Sequence, residues 1–390
     1  MDRDVRQPVC SHRRKLREAV SILYPVLALA CVWIAGCGGG SSGNPGGGGP
    51  PPPTFTNFDA PGAGTTSPQG TFGIGITANG NVLGYSIDAN GVVHGFIRTS
   101  LGLFSVVDAP GAASTPNNGT EVVAMNGPGE AVGYYSDGQF LHSFMISSQG
   151  TLTQFDPPNA SGSSALCIND NGAIAGGVID INGNHGYIRA SDGTFSLIDP
   201  TGNPTQVSEV LPYQINTGGA VAGSFVDSSM IHHGFLRDSN GTITILDAPG
   251  AGSAANEGTE LVDMNASGVI VGGINVGVVN GVGTTHSVIR SAGGNYTVFD
   301  PPQSGAHTSF ANGINDNGVV VGEYRDANLV RHGYIRNLDG TFTSFDDPDA
   351  AQLPLSATNL GTIPRRINAG GAVAGLYSDT NGVRHAFIWQ

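Results

Sequence analysis

The fold is decided by one 48-residue unit, FDPPQSGAHTSFANGINDNGVVVGEYRDANLVRHGYIRNLDGTFTSFD, which runs from Phe299 to Asp346. It holds four short strand-like runs, at Ala311–Asn315, Val319–Tyr324, His332–Arg336 and Thr341–Phe345. Asn-Gly and Asp-Gly type turns separate these runs, as antiparallel hairpins require. We therefore predict that the unit folds as a four-stranded antiparallel sheet.

The unit recurs seven times along the chain. Its last strand ends in an aspartate, and these aspartates are 43 to 53 residues apart: Asp59, Asp108, Asp156, Asp199, Asp247, Asp300 and Asp346. Its third strand opens with a histidine, in runs such as HGYIR: His94, His142, His185, His233, His286, His332 and His385. Repeats of this length are typical of propeller blades, each a sheet of four strands.

The two ends of the repeat region complement each other. The region opens at Thr54–Asp59, which is a last strand without the three before it, and closes at His385–Gln390, which is a third strand without a fourth. An unpaired strand edge is a liability that folds avoid. We therefore predict an all-β, seven-bladed β-propeller built from seven repeats of about 48 residues, in which residues 54–59 join the last blade.

Composition supports strands and turns and argues against helices. Among 390 residues there are 61 Gly and 23 Pro, a density that would break helices throughout, and only 12% of the residues are charged. After residue 36 the chain holds ten basic residues, all arginine, against 27 acidic ones. An acidic surface repels phosphate backbones, so we expect no nucleic-acid partner.

The N-terminus has the pattern of a targeting segment. Positive residues at Arg13, Arg14, Lys15 and Arg17 precede an apolar run that ends at Cys37. The last four residues of this run, Ile-Ala-Gly-Cys, resemble a bacterial lipobox, which implies a lipoprotein signal peptide over 1–36 and a lipid on Cys37. The alternative is an uncleaved membrane anchor, because about 18 apolar residues span a bilayer.

A tract rich in Gly and Pro follows, over residues 37–53, and we expect it to tether the repeat domain at 54–390. By resemblance to lipoprotein sorting, the Gly38 that follows the cysteine favours the outer membrane or cell surface. The membrane would then be a partner through the lipid on Cys37, and we expect a monomer. Beyond the tether only Cys167 remains, so no intrachain disulfide forms, and we expect its thiol to be buried.

The repeated landmarks resemble the extracellular HAF repeat family, named for the run that stands here as His385-Ala386-Phe387. The resemblance covers residues 54–390 and implies an extracellular repeat architecture, with no defined reaction. The fifth unit departs from the pattern: Val276 stands where the six other units carry an aspartate, and its loop to the histidine is longer by about four residues. That loop is one place where a function specific to one unit could lie.

The repeated polar residues are better explained by structure than by chemistry. Equivalent histidines on the third strands of a propeller diverge around the ring, so they cannot converge on one ion, and we predict no metal and no cofactor. Turns such as the Asp-Ala-Asn-Gly at 88–91 resemble fragments of calcium loops but lack a bidentate acidic ligand. Five arginines end the third strands, and their recurrence predicts structural ion pairs: Arg98, Arg189, Arg237, Arg290 and Arg336.

Function is better sought among residues that differ between units. The candidate binding residues are assigned to the long connections after the aspartates: Glu121, Glu260, His307, Arg365 and Arg366. We predict a binding or scaffold module for an extracellular glycan, ligand or protein. The alternative is a polysaccharide hydrolase or lyase with two carboxylates at the channel mouth. High repetition and few catalytic-looking residues favour the module over the enzyme.

Overall fold

The computed structural model describes residues 53–279, 282–305, 308–352 and 361–390. Within them the chain folds into 28 β-strands and one 3₁₀ turn at Pro204–Gln206, which confirms the all-β prediction. The predicted signal peptide and all but the last residue of the predicted tether lie outside these ranges. Among the residues that the structure describes, no helix is long and apolar enough to cross a membrane.

The strands form seven antiparallel groups of four, which follow one another along the chain. The first three groups comprise β2 (Gly70–Ile76), β3 (Val82–Ile87), β4 (Val93–Arg98) and β5 (Phe104–Val107); β6 (Thr120–Met125), β7 (Ala131–Ser136), β8 (Leu141–Ile146) and β9 (Leu152–Phe155); and β10 (Gly162–Ile168), β11 (Ile174–Asp180), β12 (Gly183–Arg189) and β13 (Phe195–Ile198). The next two comprise β14 (Val207–Ile215), β15 (Val221–Asp227), β16 (His232–Arg237) and β17 (Ile243–Leu246); and β18 (Gly258–Met264), β19 (Ile270–Val279), β20 (Val282–Arg290) and β21 (Tyr296–Phe299). The sixth comprises β22 (Thr308–Ile314), β23 (Val320–Arg325), β24 (Arg331–Arg336) and β25 (Phe342–Phe345), and the seventh β26 (Gly361–Ile367), β27 (Val373–Ser378), β28 (Arg384–Trp389) and β1 (Phe55–Phe58).

The last group combines the two ends of the chain. Strand β1 pairs antiparallel with β28, with Phe55 opposite Trp389 and Phe58 opposite Ala386. Two backbone hydrogen bonds between Thr54 and Gln390, of 2.7 and 3.1 Å, extend the pairing by one residue. The first strand of the repeat region is therefore the fourth strand of the last group.

Neighbouring groups are joined in two ways. Single parallel backbone pairs link the third strand of one group to the first strand of the next, as between Arg384 and Gly70 and between Arg331 and Gly361. A glycine is required at Gly70, which has φ of +119°, because a Cβ there would lie 2.0 Å from the Arg384 carbonyl oxygen.

A chain of asparagine side chains forms the second link. In five of the seven groups the asparagine after the first strand donates its amide to the backbone carbonyl of the equivalent residue in the next group, at 2.8–3.2 Å: Asn126 to Asn169, Asn169 to Asn216, Asn265 to Asn315, Asn315 to Asn368, and Asn368 to Thr77. Its Oδ1 accepts the backbone N–H four residues on, as from Val319 to Asn315. One side chain therefore caps its own turn and fastens the next group.

The core lies between the groups. The residue two positions after each repeated histidine is fully buried in all seven units: Phe96, Phe144, Tyr187, Phe235, Val288, Tyr334 and Phe387. Around Phe387 of the seventh group pack Ile335 and Phe345 of the sixth, and Ile388 packs with Val82 of the first. Large apolar side chains on the third strand thus make each group depend on its neighbours.

Every first strand carries a β-bulge, and a glycine on the second strand permits it. The register shifts within each first strand, for example between Leu261 and Asp263 and between Pro364 and Arg366, and β14 has a second shift between Val207 and Glu209. A Cβ added to Gly272 would lie only 1.9 Å from the carbonyl oxygen of Glu260, and a Cβ added to Gly375 would lie 2.2 Å from the carbonyl oxygen of Ile363. A bulge leaves one residue unpaired and re-aims its side chain.

The pairing of β1 with β28 predicts the effect of shortening the chain. A chain that begins at Gly62 loses β1, which exposes the hydrogen-bonding edge of β28 and removes Phe55 and Phe58 from the core contacts they make. We expect a much lower thermal midpoint and aggregation, measured by calorimetry and light scattering. Removal of residues 38–53 is the control and should leave the midpoint unchanged. A Gly62 chain that melts like the control would show that β1 is dispensable.

Candidate functional site

Each repeated histidine pairs with the aspartate that ends the fourth strand of its own group. The Nδ1 atom lies 2.5–2.9 Å from the nearer carboxylate oxygen in all seven pairs: His94–Asp108, His142–Asp156, His185–Asp199, His233–Asp247, His286–Asp300, His332–Asp346 and His385–Asp59. In six pairs the partners are 14 residues apart, whereas His385 and Asp59 come from opposite ends of the chain. These contacts tie the third strand to the end of the fourth.

The second ring nitrogen faces another repeated aspartate. In six units Nε2 lies 3.3–4.0 Å from the aspartate in the turn before the third strand, as at Asp180 and Asp326. That carboxylate also caps its own turn: Asp326 Oδ1 accepts the backbone N–H groups of Asn328 and Val330, both at 2.9 Å. Among the described residues, no group of three or more His, Cys, Asp or Glu side chains is arranged to hold a metal ion.

The repetition of the histidines favours a buried side chain in each unit, but six of the seven are only partly buried. Only His185 is buried, with 4% of its side chain exposed. The side chains of the other six histidines are 15–29% exposed. In four units the histidine ring packs on an aromatic residue of the second strand, as His332 does on Tyr324 with ring centroids 5.1 Å apart.

No ion pair of a third-strand arginine is found between described residues, and three of the five arginines lie over aromatic rings instead. The guanidinium carbons of Arg98, Arg189 and Arg336 lie 4.6, 5.0 and 4.9 Å from the centroids of Phe58, Phe155 and Phe299. Each of these rings precedes a repeated aspartate in the neighbouring group. The arginine is therefore held by an aromatic face of the adjacent sheet, a cation–π contact that needs no carboxylate.

A cavity of about 420 Å³ lies where the first strands of all seven groups meet. The unpaired bulge residue of every first strand lines it: Ile74, Val123, Leu166, Tyr213, Val262, Asn312 and Arg365. The bulge thus turns one side chain per group inward. The bulge is repeated in every group, but the side chains at the bulge differ from group to group. The units therefore differ chemically in this cavity. We call it the axial cavity.

One side of the axial cavity is crossed by a network in which every charge is paired. Asp263 accepts hydrogen bonds from the Gln214 side chain at 3.1 Å and from the Ile314 backbone at 2.9 Å, and it lies 4.0 Å from Arg366 Nε. Arg366 also donates to the backbone carbonyls of Asn312 and of Val262, the latter at 3.2 Å. The network joins the fourth to seventh groups across the axis.

The remaining charged groups of the cavity are less completely paired. Arg331 Nη1 lies 3.5 Å from Glu323 Oε1, and among the described residues Glu323 Oε2 and Arg365 Nε have no hydrogen-bond partner. None of the hydrogen bonds between described residues involves the carboxylate of Glu260. Burial raises the pKa of Glu260 to about 7, and the nearby charge of Arg365 opposes that rise. A carboxyl group in this state exchanges protons near neutral pH.

The structure separates the sequence candidates. Glu260, Arg365 and Arg366 line the axial cavity. Glu121 is buried elsewhere and accepts a 2.7 Å hydrogen bond from the Tyr134 hydroxyl. His307 lies outside the described residues, and Cys167 is a buried free thiol at the cavity wall whose pKa burial raises to about 12.

Sequence reasoning missed Asp263, Glu323, Arg331 and Arg384, which also line the cavity. Three of these residues lie on second or third strands, where the repeated pattern is strongest. Most other units have an uncharged residue at the positions equivalent to these four. This departure from the repeat was the signal that could have identified them as site residues.

The histidine–aspartate pairs predict a pH dependence of stability. The hydrogen bond to Asp346 raises the pKa of His332 above its ordinary 6.5. The pair therefore contributes fully to the free energy of unfolding below pH 6.5, and this contribution is lost as the pH rises through the higher pKa of the folded state. His332→Ala should lower the free energy of unfolding by about 1–3 kcal/mol at pH 6, and by less at pH 8. Urea unfolding at both pH values measures the difference. An equal loss at both would contradict a charged pair.

No family model matches the sequence, and no curated protein matches it. Solved structures of the same fold include a streptogramin B lyase, 15% identical with a TM-score of 0.52, in a match that covers 87% of this chain and 98% of that one. Another is a catalytically inactive variant of virginiamycin B lyase from Staphylococcus aureus with quinupristin, 14% identical with a TM-score of 0.53, covering 87% and 99%. A lectin from Burkholderia pseudomallei matches at a TM-score of 0.48, with 10% identity over 82% of this chain and 95% of the lectin. At such identities the likeness to the lyases concerns the fold alone, and this chain has the fold of the β-propellers.

Proposed function

We propose that the seven groups of strands are the blades of one closed propeller and that β1 completes the seventh blade. Three contacts between the N-terminal and C-terminal parts of the repeat region support the closure. They are the pairing of β1 with β28, the backbone pair of Gly70 with Arg384, and the hydrogen bond from Asn368 to the Thr77 carbonyl. A closed ring has no bare blade face and no long open edge.

We infer that this propeller is a lipid-anchored extracytoplasmic binding module whose ligand enters the axial cavity. The observation that carries the inference is the contrast between a repeated frame and an unrepeated cavity lining. Seven equivalent bulges present Ile, Val, Leu, Tyr, Val, Asn and Arg to one cavity. A lining that served only to fill the ring would need no such variety. The volume of the axial cavity is in the range of small-molecule sites, which favours a glycan fragment or other small ligand over a folded protein.

The location rests on the N-terminal sequence. The positive residues at 13–17, the apolar run and the lipobox-like residues that end at Cys37 support export and lipidation, followed by a tether over 38–53. The resemblance of the repeats to the extracellular HAF family supports the same side of the membrane. The outer membrane or cell surface is the proposed destination.

A screen of glycans and cell-wall fragments tests the binding function, with two tryptophan variants to place the site. Val262→Trp fills the axial cavity, whereas Ile181→Trp adds the same side chain at a position that is 94% exposed. We expect Val262→Trp to abolish binding of every ligand that the screen identifies and Ile181→Trp to leave it unchanged. Full binding by a folded Val262→Trp protein would place the ligand elsewhere.

A polysaccharide hydrolase or lyase is the second candidate, and Glu260 is the observation that favours it. A carboxyl group with a pKa of about 7 in a cavity suits general acid–base catalysis at neutral pH. The same screen, read for new reducing or unsaturated sugar ends, distinguishes the two functions. Turnover that disappears in Glu260→Gln would favour the enzyme, whereas binding without turnover favours the module.

The lipid anchor predicts the behaviour of Cys37→Ser. Because serine cannot form the thioether that carries the lipid, this variant should lose lipid labelling and leave the membrane fraction. Cys167→Ser is the matched control, since that thiol is buried within the repeat domain, and it should label like the unaltered protein. If Cys37→Ser remained in the membrane fraction, the apolar run would be an uncleaved anchor.

A further inference from the structure

The positive charge of this acidic protein is concentrated in the axial cavity. After residue 36 the chain has ten basic residues, and four of them line this one cavity: Arg331, Arg365, Arg366 and Arg384. Five of the other six occupy the repeated position at the end of the third strand. The acidic groups in the same lining are Glu260, Asp263 and Glu323. Four guanidinium groups against three carboxyl groups leave the cavity with an excess of one positive charge, even when Glu260 is ionised.

The four arginines differ in how far their charges are compensated. Arg366 is held by Asp263 and two backbone carbonyls, Arg331 faces Glu323, and Arg384 donates to the Ser378 hydroxyl. Arg365 projects from the bulge of β26, and its Nε has no hydrogen-bond partner among the described residues. Burial lowers the pKa of Arg365, and the nearby charge of Glu323 offsets that effect only in part, so this buried cation is incompletely compensated.

We propose that the axial cavity binds a small ligand with a single carboxylate, and that Arg365 is the residue that anchors this group. The proposal rests on the binding function proposed above and names the chemical class of its ligand. A guanidinium presents N–H donors in a planar fork that matches the two oxygens of a carboxylate. Arg331 and Arg384 add positive charge around the same anion. Arg331 is close enough to Arg365 for their charges to interact, and Arg384 interacts in the same way with both Arg331 and Arg365.

The rest of the lining limits what carries the carboxylate. Phe72, Phe310 and Tyr213 form apolar walls, which suit a ligand with an apolar face. Glu260, Asp263 and Glu323 oppose a second negative charge, so a highly charged polyphosphate is disfavoured. A volume of about 420 Å³ accommodates a molecule of one or two sugar rings, not a polymer chain. An acidic sugar with one carboxylate, such as a uronic acid, meets all three conditions.

Calorimetric titration of the purified protein with carboxylate probes tests the assignment. The probes are glucuronic acid, galacturonic acid and benzoate, with glucose and galactose as neutral counterparts and inorganic phosphate as a different anion. We expect at least one carboxylate probe to bind and its neutral counterpart and phosphate not to bind. Arg365→Gln should weaken that binding by at least tenfold, because charge-assisted hydrogen bonds to the anion are lost.

Matched variants separate a local effect from a general one. Arg336→Gln removes the same charge at a position where the guanidinium lies over Phe299, outside the cavity lining, and should leave affinity within twofold. Arg365→Lys keeps the charge but loses the fork, and should give an intermediate affinity. It also keeps the test valid if Arg365→Gln fails to fold.

Several results would overturn the proposal. Binding of a neutral sugar as tight as that of its acid, and weakened by Val262→Trp, would refute the anion site but leave the proposed binding function intact. Equal weakening by Arg336→Gln and Arg365→Gln would refute Arg365 as the anchor, and preference for phosphate would refute the carboxylate. If no carboxylate probe bound at all, the assigned ligand class would be wrong.

Discussion

The pairing of β1 with β28 is the contact on which the rest of the structure depends. It joins the two ends of the repeat region, and several other contacts hold only because of it: the Asp59 carboxylate reaches His385, the Ala60 N–H donates to the Thr71 hydroxyl, and Phe55 packs on Phe387 with ring centroids 5.4 Å apart. Without that strand the last group would present a bare edge, and the faces of two groups would lose part of their cover. Each group alone is a small four-stranded sheet, so its stability comes from packing against its neighbours.

Repeated residues build the framework of strands, whereas unrepeated residues line the axial cavity. The repeated ones build the frame: a histidine between two aspartates, a fully buried residue two positions later, an arginine over a neighbouring ring, and an asparagine that fastens the next group. The glycine opposite each bulge belongs to this set, because any side chain there would collide with the backbone of the first strand. The unrepeated residues are gathered by the bulges into the axial cavity, where Arg365 stands among mainly apolar equivalents. A periodic backbone thus presents a site that is not periodic, and the proposed carboxylate ligand would complete the charge compensation of Arg365, to which Glu323 contributes only in part.

The sequence predicted the strands well and the cavity poorly, for physical reasons. Strand runs in the sixth unit were close to β22–β25, except that β22 begins earlier, at Thr308, because Thr308 pairs with Arg325. The partnership of His385 with an element at the other end of the chain was implied by the incomplete first and last units. Side-chain direction along the first strands was not readable, because a bulge breaks the alternation of faces at a point that only the pairing reveals. The cation–π contacts were misjudged because the rings beneath Arg98 and Arg336 belong to neighbouring groups.

Native-state hydrogen exchange tests most directly whether the two ends close one cooperative ring. The amides of β1 that pair with β28 should exchange only through global unfolding, with the same free energy and the same denaturant dependence as the amides of an inner strand such as β22. In that case the short terminal strand is as stable as the centre of the molecule. Exchange of the β1 amides through a low-energy opening, insensitive to denaturant while β22 remains protected, would show that the ring persists without its closing strand and would contradict the dependence described above.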